Sequence, residues 1–326
     1  MSDNVSKGKD RSVSRIAKEI YSKYGILIIL VIMLVGSTLL TPVFLTQRNL
    51  INVMRQMSVI FIIACGTTMV IISGMIDLSS GSVAALSGVV ATGMMVATKS
   101  APLAVAVGII VGGLCGAVNG AFITTFKLPP FIMTLAMMIS ARGLVLLYTG
   151  GIPISGIGNL NVLGQGFILG VPIPIIIMMI IFGITWVLLN RMKFGRYIYA
   201  IGGNEEAAIA SGVSVKRVKA MTWIINGMFV GLAGVILMAR INSGQPAAGQ
   251  MYELDAITTV VLGGTSLSGG IGTIQGTLAG AMIIGILNNV LNLLNVSPYY
   301  QQILKGAIIV TAVILDIKTK EIRAKS

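Results

Sequence analysis

Long apolar runs, separated by short polar or glycine-rich breaks, cover nearly the whole chain. A helix that crosses a membrane needs about 20 predominantly apolar residues. Before residue 190 six runs reach that length, at 25–45, 51–72, 81–98, 102–126, 130–149 and 171–189. After residue 219 three more do so, at 220–239, 274–296 and 299–317. Segment 252–267, YELDAITTVVLGGTSL, is shorter and broken by glycine. It reads as an interrupted span held against protein, where unpaired backbone groups need not face lipid. Between the two groups of runs lies the main polar interruption, GRYIYAIGGNEEAAIASGVSVKRVK (195–219).

That interruption has the punctuation of a short helix. Asn204 is a good N-cap, because its side-chain oxygen can accept an orphan backbone N–H. Glu205 and Glu206 follow in the first turn, where negative charge suits the positive end of the helix dipole. Ala207, Ala208 and Ala210 favour helix, and Gly212 can take the left-handed conformation that ends it. Ser214 is placed to cap the next helix. Such a helix of about two turns, roughly 10 Å long, is too short and too polar to enter a bilayer.

Composition decides the class. Of 326 residues, 55% are hydrophobic and 10% charged, with a mean hydropathy of +0.94; soluble domains carry about 25% charged residues. The chain is therefore read as an all-α integral membrane protein. The 40 glycines suit helices whose backbones approach closely. The net charge of +13 is concentrated where it sets topology: Lys and Arg number six in residues 1–24, six in 190–219 and four in 318–326. The positive-inside rule places all three stretches in the cytoplasm. An even number of crossings must then lie on each side of 190–219, so 252–267 has to count as a span, and about ten crossings result. The expected organisation is a basic cytoplasmic N-terminus (1–24), a transmembrane domain (25–317) and a cytoplasmic tail (318–326). The domain divides into halves 25–189 and 220–317 around the loop 190–219. The uncharged segment 150–170 reads as an external loop, and the first apolar run as a retained span rather than a cleaved signal.

The halves resemble each other. GAVNGAFITTFKLPPF (116–131) can be laid over GILNNVLNLLNVSPYY (285–300), so that Gly116 meets Gly285, Asn119 meets Asn288 and Pro129 meets Pro298. A similar offset pairs Phe61 with Phe229 and Gly66 with Gly234, and Asp77 with Asp255 after an insertion. Pro129 and Pro298 fall at opposite faces by the span count, so the repeats would be inverted, a common way to build a path through a membrane.

Candidate chemistry is sparse. The chain has no His, the commonest metal ligand and general base, and no catalytic dyad or triad is evident. Cys65 and Cys115 lie in apolar runs and read as packing residues. Asp77, in GMIDLSSGS, is either a residue of the solute path or a helix-end cap supported by Ser79, Ser80 and Gly81; the same two readings hold for Asp255. Asn119, Asn288, Asn289 and Asn292 can bond a polar solute or bond across helices. Arg55, Arg142, Lys305 and Asp316 read as snorkelling or as pairing with carbonyls near span ends, and Trp186 and Trp223 as interfacial aromatics. GGTSLSGGIGTIQGTLAG (263–280) has glycines like a phosphate loop, but no Lys at the Walker position and no preceding soluble strand, so its glycines are read as helix packing. With no Walker motif anywhere, any ATPase that drives this protein is another chain.

Several of these stretches resemble the inner-membrane permease subunits of bacterial ABC sugar importers, most closely the ribose type. GMIDLSSGS, GAVNGAFITTFKLPPFIMTLAMMISARG and GRYIYAIGGNEEAAIASGV carry the resemblance, as do YELDAITTVVLGGTSLSGGIG and LNNVLNLLNVSPYYQQILKGAIIVTAVILD. It implies a ten-helix fold of the cobalamin-importer type, two permease copies (a homodimer), two cytoplasmic ATP-binding subunits and an extracytoplasmic sugar-binding protein, with no cofactor in this chain. Glu206, Ala207, Ala208 and Gly212 stand at the positions of the E-A-A-x-x-x-G pattern that meets the ATPase, beside Asn204 and Glu205. The I-x-L-P ending of some importers is replaced here by Ser214 to Lys219. The expected function is import of ribose or a related monosaccharide across the bacterial inner membrane, without enzymatic activity of its own. An ion-coupled secondary transporter is the competing reading; it would draw on Asp77 and Asp255.

Overall fold

The computed structural model describes residues 25–26 and 28–324, with side chains to residue 311 and at 314. The basic stretch 1–24, residues 325–326 and the side chain of Asp316 lie outside the described residues. Helix α1 (Ile28–Leu40) is followed by α2 (Gln47–Ile72), α3 (Ser80–Thr98), α4 (Ala101–Thr125) and α5 (Pro130–Thr149). A folded connection with the short helix α6 (Val162–Gln165) leads to α7 (Ile173–Asn190). The polar interruption holds α8 (Lys193–Gly203) and α9 (Glu205–Ala210). Then come α10 (Val215–Ile241), α11 (Tyr252–Leu262), α12 (Ile274–Leu293) and α13 (Pro298–Ala324).

Seven of these, α2 to α5, α7, α10 and α12, are long and apolar enough to cross a membrane. The described strands are two-residue pieces, β1 (Phe167–Ile168) and β2 (Val171–Pro172), paired antiparallel. The architecture of the described residues is therefore all-α, built around helices suited to crossing a membrane. Helix α11 has 11 residues, about 16 Å at 1.5 Å per residue. It ends in a turn with positive φ at Gly264, Gly269 and Gly270. The interrupted element expected at 252–267 is therefore present, and its glycines make the break.

Two helices form the centre. Every residue of α2 from Met57 to Ile72 is buried, the mark of a helix apolar on all sides. Helix α10 is buried over most of its length beyond Thr222. Each of these two central helices packs into the other half: α10 against α3 and α4, and α2 against α11 and α12. Within the halves, α3 meets α4 and α5 as α11 meets α12 and α13. This reciprocal arrangement follows the internal likeness seen in the sequence.

The α4–α10 contact depends on glycine. Gly108, Gly112, Gly116 and Gly120 stand four residues apart and share one face of α4. A Cβ on Gly112 or Gly227 would strike the other's carbonyl oxygen, and one on Gly116 would strike that of Trp223. Small residues thus let the two backbones touch. Trp223 differs from its expected interfacial position. It is fully buried and its indole N–H donates to Met75 Sδ at 3.2 Å; a partner helix covers the ring that hydropathy alone left at a span end.

The connection 150–172 lies at the end of α10 away from α8 and α9. Ile157 and Leu160 are buried against Ala91, Met95, Ala104 and Val235. A backbone bridge joins Ile154 to Gly244, with N···O distances of 3.0 and 2.8 Å. The connection is thus anchored through Ile154, Ile157 and Leu160, while most of its other residues are exposed.

Candidate functional site

Three polar groupings stand out from the apolar body. The first is the interruption itself. A tight turn at Arg191 and Met192 leads into α8; in its first turn a Cβ on Gly195 would hit the Leu189 carbonyl oxygen, and Ile198 and Ile201 are buried beneath the helix. Asn204 then caps α9 as expected: its Oδ1 accepts from the Ala207 N–H at 2.9 Å. Glu205 and Glu206 occupy the first turn. Gly212 ends the element at φ +81°. Ser214 precedes α10, but its side chain makes no capping bond; only its backbone carbonyl is used, by Val218 N–H. Glu205 pairs with Lys219 at 2.6 Å, a half-exposed ion pair of the kind worth about 0–1 kcal/mol. Ala208 is buried, whereas Glu206, Ala207 and Ile209 are exposed. The exposed surface of α9 therefore combines the Glu206 carboxylate, and Glu205 paired with Lys219, with bare apolar surface.

Beneath α8 the backbone is unusually crowded. A Cβ on Gly202 would overlap the Ile72 carbonyl oxygen and stand 2.5 Å from the Gly270 nitrogen. The Gly270 N–H donates to that same Ile72 carbonyl at 2.8 Å. Tyr199 donates its phenol to the Gly272 carbonyl at 2.8 Å, and burial pushes the phenol pKa upward.

The second grouping is centred on Asp77. Its Oδ1 accepts from Ser79 N–H at 2.8 Å and Ser79 Oγ at 2.6 Å. Its Oδ2 accepts from Ser80 Oγ and from Asn226 Nδ2, both at 2.7 Å. Asn119 donates to Ser79 Oγ at 3.2 Å. Asp77 therefore holds Ser79 and Ser80 at the start of α3, where Ser79 is the N-cap residue, and it joins α3 to α10 through Asn226 and to α4 through Ser79 and Asn119. These residues border a narrow cleft with room for about one water molecule. Asn119 Oδ1 is unpaired there.

The third grouping is its counterpart in the second half. Asp255 receives Lys305 Nζ at 2.8 Å to Oδ1 and 2.9 Å to Oδ2, and Asn288 lies within hydrogen-bonding reach of the same carboxylate. The pairs Asp77–Asn119 and Asp255–Asn288, aligned in the sequence, are thus each brought together, but in separate clusters. All four residues are less than 5% exposed, so they tie helices together in this conformation. Lys305 is an ion-pair partner, contrary to its reading as a snorkelling side chain; its carboxylate lies 50 residues away and no local pattern announces it. Arg142 and Arg55 do pair with carbonyls, those of Pro246 and Ala248 and that of Gln165. Asn226 and Tyr199 were not singled out from the sequence. An amide inside the apolar run WIINGMFVGLAG was a usable signal for the first; the second has none.

Comparison with known proteins gives a consistent picture. Residues 49–313 match the family described as branched-chain amino acid transport system / permease component. The chain is 49% identical over 302 residues to the ribose import permease protein RbsC of Bacillus subtilis, covering 92% of this chain and 94% of that protein. It is 46% identical over 299 residues to RbsC of Escherichia coli, covering 90% and 93%. To the D-allose transport system permease protein AlsC of Escherichia coli it is 39% identical over 300 residues, covering 91% and 92%. No solved structure matches.

Proposed function

The chain belongs to the branched-chain amino acid transport system / permease component family, and from that premise we propose that it is the membrane subunit of an ATP-driven importer of ribose or a closely related monosaccharide. The observation that carries this reading is end-to-end similarity at 49% identity to a ribose import permease. The family description speaks of amino acids, but the full-length relatives at 39–49% identity are sugar permeases. Hydrolysis of ATP belongs to a separate subunit. A sugar-binding protein outside the membrane delivers the solute, and a second copy of this chain completes the pathway.

Ten spans, with α1, α11 and α13 added to the seven long apolar helices, place both termini in the cytoplasm and make the two halves an inverted repeat. The reciprocal packing of α2 and α10 supports that arrangement. In this reading α9 meets the ATPase through Glu206, Ala207 and Ile209, while Asn204, Glu205, Ala208 and Gly212 hold its shape. The Asp77–Asn119 and Asp255–Asn288 clusters border the path and separate as it opens.

The test is uptake of labelled ribose into vesicles containing the permease, its ATPase and its binding protein. Uptake should require ATP and persist when proton and sodium gradients are collapsed. Uptake driven by either gradient without ATP would establish the ion-coupled reading instead.

A further inference from the structure

The stretch GGTSLSGGIG, set aside above as helix packing, has a specific place in the fold. It forms the turn after α11, and α8 rests on it. Three backbone segments meet there within direct contact: the C-terminal end of α8 at Gly202 and Gly203, the end of α2 at Ile72 to Gly74, and the turn at Gly269 to Gly272. Gly270 N–H donates to Ile72 O at 2.8 Å, which ties the central helix of the first half to the second half's interrupted span. Gly202 lies directly on that bond, because a Cβ there would overlap Ile72 O and approach Gly270 N to 2.5 Å. A Cβ on Gly269 would come within 2.9 Å of Gly202 O and of Gly74 N, and one on Gly270 within 2.9 Å of Gly203 Cα. Tyr199 adds a hydrogen bond of 2.8 Å to Gly272 O. Backbone atoms in contact cannot yield as flexible side chains can, so displacement of α8 must move both partners.

We propose that this glycine seat is the joint through which movement of the coupling loop reaches both halves at once, with Tyr199 and Gly202 as its positioning residues. The alternative route runs along the chain from α9 into α10. That route turns through residues 211–214, where Gly212 and Val213 N–H bond back to the Ile209 and Ala208 carbonyls, and the ion pair along it, Glu205–Lys219, is half-exposed and weak. The proposal rests on the importer reading. It adds that α8, not the covalent link to α10, carries the displacement, and that it acts on the ends of α2 and α11.

The experiment uses the complete complex in lipid nanodiscs, comparing wild type with Tyr199→Phe, Gly202→Ala and, as a docking control, Glu206→Ala. Tyr199→Phe should co-purify with the ATPase in normal yield and hydrolyse ATP at the basal rate, and Gly202→Ala, whose methyl group forces the backbones apart, should still assemble with the ATPase but in lower yield. Their stimulation by sugar-loaded binding protein and their uptake should fall at least fivefold. Glu206→Ala should lose ATPase association. Hydrogen exchange on the wild type supplies a readout independent of any variant: peptides covering 70–75 and 264–272 should change protection when ATP binds. Normal stimulated hydrolysis and uptake in Tyr199→Phe, or loss of ATPase association in it, overturns the joint. So does a change of protection at 215–224 with 264–272 unaltered. A wild-type complex that binds no ATPase defeats the importer reading itself, which these outcomes leave distinguishable.

Discussion

Lys305 and Asp255 allow a quantitative test of how the second half is held together. At 2.8 Å and an effective dielectric of about 20, the direct attraction is about 6 kcal/mol. Desolvation opposes it by several kcal/mol per ion, so the pair as a whole contributes little net stability. Removing one partner is a different matter. Lys305→Met leaves the Asp255 carboxylate, whose side chain is 5% exposed, with the Asn288 amide as its remaining support. Breaking a buried pair in this way costs about 3–5 kcal/mol. Asp255→Asn should cost less, because the Lys305 side chain is 18% exposed and can extend toward water. The double variant, Asp255→Asn with Lys305→Met, has no orphan charge and should recover at least half of the loss seen in Lys305→Met. Cys65 is fully buried, so a thiol-reactive dye reports melting of the detergent-solubilised permease, in a Cys115→Ala background that leaves Cys65 as the reporter. The expected order of melting temperature is wild type, double variant, then Lys305→Met. A Lys305→Met protein that melts with wild type, or a double variant no better than Lys305→Met, would refute the assignment of a buried pair.

Asn204→Ala removes the N-cap bond of α9 and should cost about 1 kcal/mol locally, read as weaker ATPase association, whereas Asn204→Gly should cost only a few tenths. Gly112→Ala or Gly227→Ala puts a methyl group into the α4–α10 backbone contact, where overpacking costs about 1–3 kcal/mol; lower melting temperature in the dye assay is the readout, and Gly143→Ala, with open space around it, should melt as wild type. The Tyr199 phenol is held above its ordinary pKa by burial, so the unfolded chain releases that proton first. Its contribution to stability is therefore complete below the ordinary Tyr pKa of about 10 and falls as pH rises beyond it. Tyr199→Phe should remove that alkaline component of the melting profile and leave the neutral range flat.

Much of this molecule follows from its sequence because lipid leaves few alternatives. Apolar length placed the spans at 51–72, 81–98, 102–126, 130–149, 171–189 and 274–296 within a few residues of the observed helices, since an unpaired backbone cannot face hydrocarbon. Local capping chemistry likewise placed α9 between Asn204 and Gly212. Internal likeness paired Asp77 with Asp255 and Asn119 with Asn288 before any contact was known. Tertiary structure alone decided what those residues touch. Hydropathy is blind to whether an apolar face meets lipid or another helix, so it could not place Trp223 in the core or make α2 and α10 the central pair. Nor could it join Lys305 to Asp255, or Asn226 to Asp77, because such bonds depend on how helices distant in sequence cross. The glycines of 263–272 were visible as glycines from the start. Only the fold shows that three backbones converge on Gly269 and Gly270, leaving no room for a side chain there.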